Sequence, residues 1–548
     1  MSKKLFILAL GALLVVAFTM PAMAASKVDF SGTFRVRAHY QNNFTLNPKS
    51  EWESKMSRFD QRLRIDFKIM PTDALTMNIG LTTEDQIWGR QGKSHFVDRA
   101  YGNAGTTDSK LDFEIRYAWM DIKSPFGLFQ AGRMPGGKAG LSLLGWSGST
   151  VMGAGIGDNT ADDGSYGNSG ARDRLQWTLP MGPFTLNVCY DKLAENDSST
   201  GAAALGNMGR EYDQDWDEYS VTGIYKFANG GVAMTMAYDR GHAQFQNIAG
   251  TVPLAALLPP QVVGRQLAGN TRIDFYYWAF IPALALNFGP FGIHTELTYA
   301  TGKANWKLAP GTPSSITDAN GVSWSIKDNA DLTAFQWYID ATYNYGPGVV
   351  GLWYQYTSGD KTATDYTMDG LAIPGADFAP LFIAYDRGLG AGTDHYLMDN
   401  YGTTGFTYQT GGAGLAGSSN HWTLGVWWDH SVTEDLMVHA AYGYMDVLNA
   451  GRNRWADYGR GRDIKKHYGQ EFDVSLVYTI MSNLTVQLDM GYFWAGDYWK
   501  QGWGSLGEIE WALANGLAHA YNDAQKHYKS WEKAGNAYGM KTTLMLKF

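Results

Sequence analysis

The sequence predicts an all-β fold, a transmembrane antiparallel up-and-down β-barrel of eighteen strands (sixteen as the alternative), with short periplasmic turns and long extracellular loops. Three observations predict it. Segments of about ten residues with alternating apolar and polar side chains recur along the chain, the weak but cumulative pattern of a membrane barrel. The connections between them alternate strictly between tight turns and long, polar, Gly-rich loops. The last segment, Tyr538 to Phe548, puts Tyr538, Met540, Leu544, Leu546 and Phe548 on one face and ends on the aromatic ring, so its terminus is expected inside the structure.

The first 24 residues read as a secretory leader: Lys3 and Lys4, an apolar run from Leu5 to Phe18, and the small-residue cleavage site Ala22-Met23-Ala24. At roughly fourteen residues the run falls short of the ~20 that a spanning helix needs. No later stretch is apolar enough either, so any insertion must use strands. Cleavage near Ala24 leaves residues 25–548, with no linker, low-complexity tract or charge block to divide them, as one barrel domain.

Composition fits that reading. Charged residues make up 18% and aromatic residues 14%, with 65 Gly, 32 Tyr and 20 Trp. The formal net charge is −9, or −11 once Lys3 and Lys4 leave with the leader, which argues against a nucleic-acid partner. The single Cys189 excludes an internal disulfide framework in a compartment that would permit one.

Taken in order, the first strand places Val28, Phe30, Phe34, Val36, Ala38 and Tyr40 outward, against Asp29, Ser31, Thr33, Arg35, Arg37 and His39. The second places Phe59, Leu63, Ile65, Phe67 and Ile69 outward, against Arg58, Asp60, Arg62, Arg64, Asp66 and Lys68. Eight short turns follow, among them Pro71-Thr72-Asp73, Pro180-Met181-Gly182-Pro183 and Gly289-Pro290-Phe291-Gly292. Nine long loops lie between them, at 41–57, 83–110, 134–171, 191–217, 239–271, 301–330, 357–420, 446–470 and 495–536. A soluble sandwich has no reason to sort its connections by length. Eight turns and nine loops join eighteen strands, wide enough for a water-filled lumen. Aromatic pairs at strand ends (Tyr117 and Trp119, Tyr276 to Trp278, Trp337 and Tyr338, Trp427 and Trp428, Tyr492 to Trp494) are expected to form the interfacial girdles. Ser505 to Ala534 has helical spacing and reads as a lid or loop brace.

The inward parity is dense in cations: Arg35, Arg37, Arg58, Arg62, Arg64 and Arg116, with Arg172 and Arg174 on the sixth strand. Arginine stays charged, so these groups must face water or carboxylates. They read as a pore lining or, with equal weight, as a salt-bridged wall. After Arg133 the loop 134–170 runs through many glycines to Asp158, Asp162 and Asp163. Folded inward, it would oppose these acids to the arginines and constrict the lumen. Trp278, Tyr338, Trp353, Trp427 and Phe493 read as inward aromatics on which sugar rings could stack. Two apolar patches, Thr251 to Val263 and Leu371 to Ala384, fall in outer loops and could pack a neighbour or plug the mouth. The triplet Asp213-x-Asp215-x-Asp217 lacks the glycine of a calcium loop, and no metal or cofactor is expected.

Enzymatic signatures are missing. Gly145-Trp146-Ser147-Gly148-Ser149 ends in Ser where a nucleophile elbow needs Gly, and the histidines are scattered without metal spacing. Alternation begins too soon after the leader to leave room for the plug of an active transporter. A secreted surface or adhesion protein would lack the outward apolar belt.

Three short motifs carry a resemblance: Val28-Asp29-Phe30-Ser31-Gly32, Phe129-Gln130-Ala131-Gly132-Arg133 and the terminal Phe548. With them, the whole mature chain resembles the trimeric outer-membrane porins of Gram-negative bacteria, most of all the homotrimeric porins of sulfate-reducing (Desulfovibrio-type) bacteria. The resemblance implies passive diffusion of small hydrophilic solutes and ions, a homotrimer set in outer-membrane lipid and lipopolysaccharide, and an inward eyelet loop at Met134 to Gly170 rooted at Arg133. Eighteen strands would instead lean toward substrate-specific channels for sugars or organic anions.

Overall fold

The computed structural model describes residues 27–43, 55–83, 86–88, 114–135, 140–144, 171–194, 216–245, 271–307, 315–317, 323–325, 329–359, 367–368, 381–384, 421–448, 465–497 and 535–548. The leader, the segment 505–534 with its expected helix, the patch 251–263 and Asp158, Asp162 and Asp163 lie outside these residues.

Eighteen barrel strands run through them. The first six are β1 (Lys27–Asn42), β2 (Lys55–Thr72), β3 (Leu75–Thr82), β4 (Glu114–Ser124), β5 (Gly127–Pro135) and β6 (Ala171–Met181). Next come β7 (Phe184–Ala194), β8 (Trp216–Phe227), β9 (Gly230–Phe245), β10 (Thr271–Phe288), β11 (Phe291–Lys307) and β12 (Asn329–Asn344). The last six are β13 (Gly348–Thr357), β14 (His421–Ser431), β15 (Leu436–Val447), β16 (His467–Met481), β17 (Leu484–Ala495) and β18 (Ala537–Lys547). Each pairs antiparallel with the next. β18 pairs antiparallel with β1, which closes the ring and leaves no edge. The eighteen-strand reading holds.

The closure explains the Val28–Gly32 motif. Gly32 and Phe548 exchange both backbone hydrogen bonds, at 2.8 and 3.0 Å. A Cβ on Gly32 would stand 2.5 Å from the Phe548 ring and from the Arg64 carbonyl oxygen, so only glycine lets the terminal ring lie there. At the tight turns, Gly182 and Gly289 adopt φ of 62° and 58°, each followed by a proline whose fixed φ finishes the bend.

Parity sorts the two faces. Phe30, Phe34, Val221, Tyr225, Met234, Leu352, Val426 and Leu544 are exposed outward, a belt of large apolar side chains that water would not tolerate and lipid would. Inward lie Arg35, Arg37, Thr235, Asp340, Thr423, Asp473 and Asp489, all buried. The apolar core also sits inside the ring, built from Trp353, Trp427, Tyr468, Phe493 and inward alanines.

Three aromatic assignments change. A register shift between Gly80 and Leu81 bulges β4, so Arg116 and Tyr117 both point inward. Trp119 also faces the lumen, where its indole donates to Asp121 Oδ1 at 2.8 Å. Neither Tyr117 nor Trp119 joins a girdle. Trp278, expected both in a girdle and among the inward aromatics, keeps only the first place: Ala279, Ala283 and Ala285 hold the inward parity of β10, and Trp278 stands exposed on the lipid face, 4.7 Å from the Tyr238 ring. With Tyr190 and Tyr219, whose rings lie 5.2 Å apart, these residues form one outer row across β7 to β10.

Candidate functional site in the barrel lumen

The basic wall begins on β1 and β2, where strict alternation brings Arg35 opposite Arg62 and Arg37 opposite Asp60. Arg37 Nε donates to Asp60 Oδ1 at 2.8 Å and Nη2 to Oδ2 at 3.3 Å, while His39 Nε2 lies 2.7 Å from Oδ2. All three side chains are buried. A guanidinium matches a carboxylate edge to edge, which is why arginine rather than lysine suits such a site. Arg35, Arg62 and Arg64 are buried beside them, and none is without a partner. On β4, Arg116 Nη2 donates to the Tyr117 hydroxyl at 2.7 Å, and that hydroxyl donates to Asp66.

A second cluster spans β6 to β8. Arg174 clamps Asp191 with Nε to Oδ1 at 2.5 Å and Nη2 to Oδ2 at 2.6 Å. Arg172 Nη1 bridges Asp191 and Glu218 at 3.0 and 2.9 Å. Nearer the short turns runs a half-buried polar row. Asn78 Nδ2 and Gln130 Nε2 donate to Asp121 at 3.0 and 2.7 Å, and Gln176 Nε2 to Gln130 Oε1 at 2.8 Å. Every member is polar and partly exposed, the surface expected where a wall meets water.

Among the described residues, two chain segments enter the ring. The 3₁₀ turn Gly140–Leu144, inside the predicted constriction loop, packs against β9 to β11. Leu141 N donates to Glu296 Oε2 at 2.7 Å, and its side chain is buried among Ala233, Ala283 and Ala285. Small inward residues make the room: a Cβ on Gly231 would stand 2.9 Å from Leu144. The second segment, Leu381–Ala384, is almost wholly buried among Met445, Tyr468 and Phe493. Its backbone amides end on two carboxylates of β16: Phe382 N donates to Asp473 Oδ2 at 2.9 Å, Ile383 N to Glu471 Oε1, and Ala384 N to Glu471 Oε2 at 2.7 Å.

The sequence-predicted residues divide accordingly. Arg35, Arg37, Arg62, Arg64, Arg116, Arg172 and Arg174 stand inside the ring, and the backbone of Arg58 lies opposite His39 on β2. Arg133 differs. It sits on the outward parity of β5 beside buried Met134, its side chain 47% exposed and 3.4 Å from Asp173, because inward Gln130 and Met134 set the strand's phase. Asp217 is likewise no loop residue: it lies on β8, 3.3 Å from Lys192 and 3.4 Å from Arg240. Tyr338, Trp353, Trp427 and Phe493 do point inward but are buried. Trp353 lies over Gly425 and Trp427 over Gly351, each glycine directly across the β13–β14 pair, so these rings are packed rather than offered to a sugar. Sequence reasoning missed Asp121, Gln130, Gln176 and Glu296, which inward parity alone could have found. It also missed Glu471 and Asp473, whose partners include backbone groups without any sequence signal.

Residues 9–264 match the family model described as Gram-negative porin. No curated protein matches the chain. Among solved structures, Pseudomonas aeruginosa OccK8 (OprE) is 12% identical, with 95% of this chain and 98% of that one covered and a TM-score of 0.43. OccK2 (OpdF) of the same organism is 9% identical over 96% and 99%, TM-score 0.43. The in-vitro folded trimer form of Vibrio cholerae OmpT is 10% identical over 96% and 100%, TM-score 0.37. These likenesses concern the fold alone.

Proposed function

We propose that this chain, which matches the Gram-negative porin family over residues 9–264, is an outer-membrane channel through which small hydrophilic solutes and ions diffuse passively. Family and fold point to transport rather than enzymatic chemistry. The observation that carries the reading is the closed ring of strands, apolar outside and charged inside, among the described residues. Only a barrel that spans a bilayer has use for that inversion. The test is the reversal potential of the purified protein in a planar bilayer under a salt gradient. Stepwise conductance with an ionic preference supports the channel, and the sign of that preference reports which fixed charges solutes meet. Proven insertion without conductance overturns it.

A second reading, a substrate-specific channel for a sugar or an organic anion, is favoured by the two buried segments inside the ring, which reduce its open section. Liposome swelling with solutes of graded size separates the two: a sharp cut-off or one preferred solute marks the specific channel. Within either reading the arginines on β1, β2, β4 and β6 and the acids Asp158, Asp162 and Asp163 remain our proposed selectivity elements, and residues 134–170 the proposed constriction. Homotrimeric assembly and kinship with the porins of sulfate-reducing bacteria rest on the sequence resemblance. A heat-dissociable band at three times the chain mass is the expected sign of the former.

A further inference from the structure

The segment Leu381–Ala384 occupies a built socket. Three successive amides point at two carboxylates, so a short turn of backbone supplies the donors that Glu471 and Asp473 need in a buried place. The socket walls are cut to fit. Gly443 on β15 and Gly491 on β17 both face inward. A Cβ on Gly443 would stand 2.5 Å from Leu381 Cδ1, and one on Gly491 2.8 Å from Phe382 Cδ1 and 3.3 Å from Ile383 Cγ1. From β18, Lys541 brings its ammonium to 5.7 Å from the Phe382 ring centroid, and that ammonium lies 3.5 Å from Asp489 on β17. Acids, glycines and cation sit on four consecutive strands, β15 to β18. The segment belongs to the connection between β13 and β14 but reaches β15, β16 and β17.

We infer that Glu471 and Asp473 are positioning residues that hold Leu381–Ala384 inside the ring as a second constriction, and so set the open cross-section of the channel. The inference rests on the channel reading. The two carboxylates need touch no solute; they act through the backbone they hold. Removing the hold lets the segment leave, and the lumen between β15 and β18 opens to water.

Single-channel conductance in a planar bilayer tests this with three variants, each first checked for wild-type heat-modifiable migration. Deletion of residues 381–384 leaves every strand intact and is expected to raise conductance at least about two-fold. Gly443→Leu fills the socket and is expected to do the same. Glu471→Gln keeps one acceptor but turns an amide NH₂ toward a backbone N–H, so it is expected to give a smaller rise and frequent switching between two levels. A Glu471→Asp variant, with both oxygens retained, should return toward the wild-type level, which a purely structural role would not predict. A conducting wild type whose deletion and Gly443→Leu variants keep the same conductance overturns the inference and leaves the channel standing. A wild type that inserts but stays silent means that the channel reading fails, and the inference fails with it.

Discussion

The wall of β1 and β2 and the wall of β16 and β17 both bury charge, and they satisfy it in different ways. On β1 and β2, Arg37 meets Asp60 across one strand pair, with His39 on the second oxygen. On β16, Glu471 and Asp473 take the backbone amides of a segment that arrives from another connection. A buried ion costs several kcal/mol unless it is paired and hydrogen-bonded, so each wall needs a partner. The first partner is a side chain set by the pattern of the neighbouring strand. The second is a backbone that almost any residue type could supply. Side-chain pairing makes a rigid wall, whereas amide pairing makes an attachment point.

The sharpest way to break this comparison is to remove the acid of the first wall. Asp60→Ala leaves Arg37 and His39 buried without their carboxylate and should cost about 3–5 kcal/mol. Urea unfolding of the detergent-folded protein measures it, and a loss under about 1 kcal/mol would mean that water reaches this wall. Gly425→Val comes next. A Cβ there would stand 2.5 Å from the Trp353 ring, so overpacking should cost about 1–3 kcal/mol in the same assay. Glu296→Gln tests the other inserted segment, whose carboxylate bond to Leu141 N should contribute about 1.5–3 kcal/mol. Much of that loss should appear as a changed conductance rather than as unfolding, since the turn can detach while the ring stays closed. The smallest effect belongs outside. Arg133→Ala removes an exposed pair with Asp173 and should shift stability by less than about 1 kcal/mol. A larger loss would show that this outward pair is covered, in the assembled protein, by lipid or by another copy.

The ring itself was legible in the sequence. The phases of β1 and β2 are plain because their outward positions share one character, and a one-residue slip would put every arginine into lipid. The inward arginines on β6 follow from the same period. Failures come where the period breaks. The bulge at Arg116, opposite Gly80 and Leu81, adds one residue to β4 and turns Tyr117 inward, with no composition cue to announce it. Trp278 reads as inward from its neighbours in sequence, but the phase of β10 is held by alanines that carry little hydropathy contrast. Arg133 misleads for a related reason: it stands at the root of the predicted constriction loop, one residue out of step with inward Met134.

By itself the sequence determined the two-sided strands, the alternation of turn and loop lengths, and so the strand number and the sign of each face. These are local properties, set by the period of the pleat and by turn chemistry within a few residues. Only the tertiary structure decided which groups fill the ring: that Leu381–Ala384 crosses to Glu471, that Leu141 finds Glu296, and that Trp353 and Trp427 spend their rings on glycines of the facing strand. Those contacts join residues tens to more than a hundred positions apart through backbone amides and missing side chains. Neither leaves a periodic trace, because an amide is present at nearly every position and a glycine's purpose is known only from what lies against it.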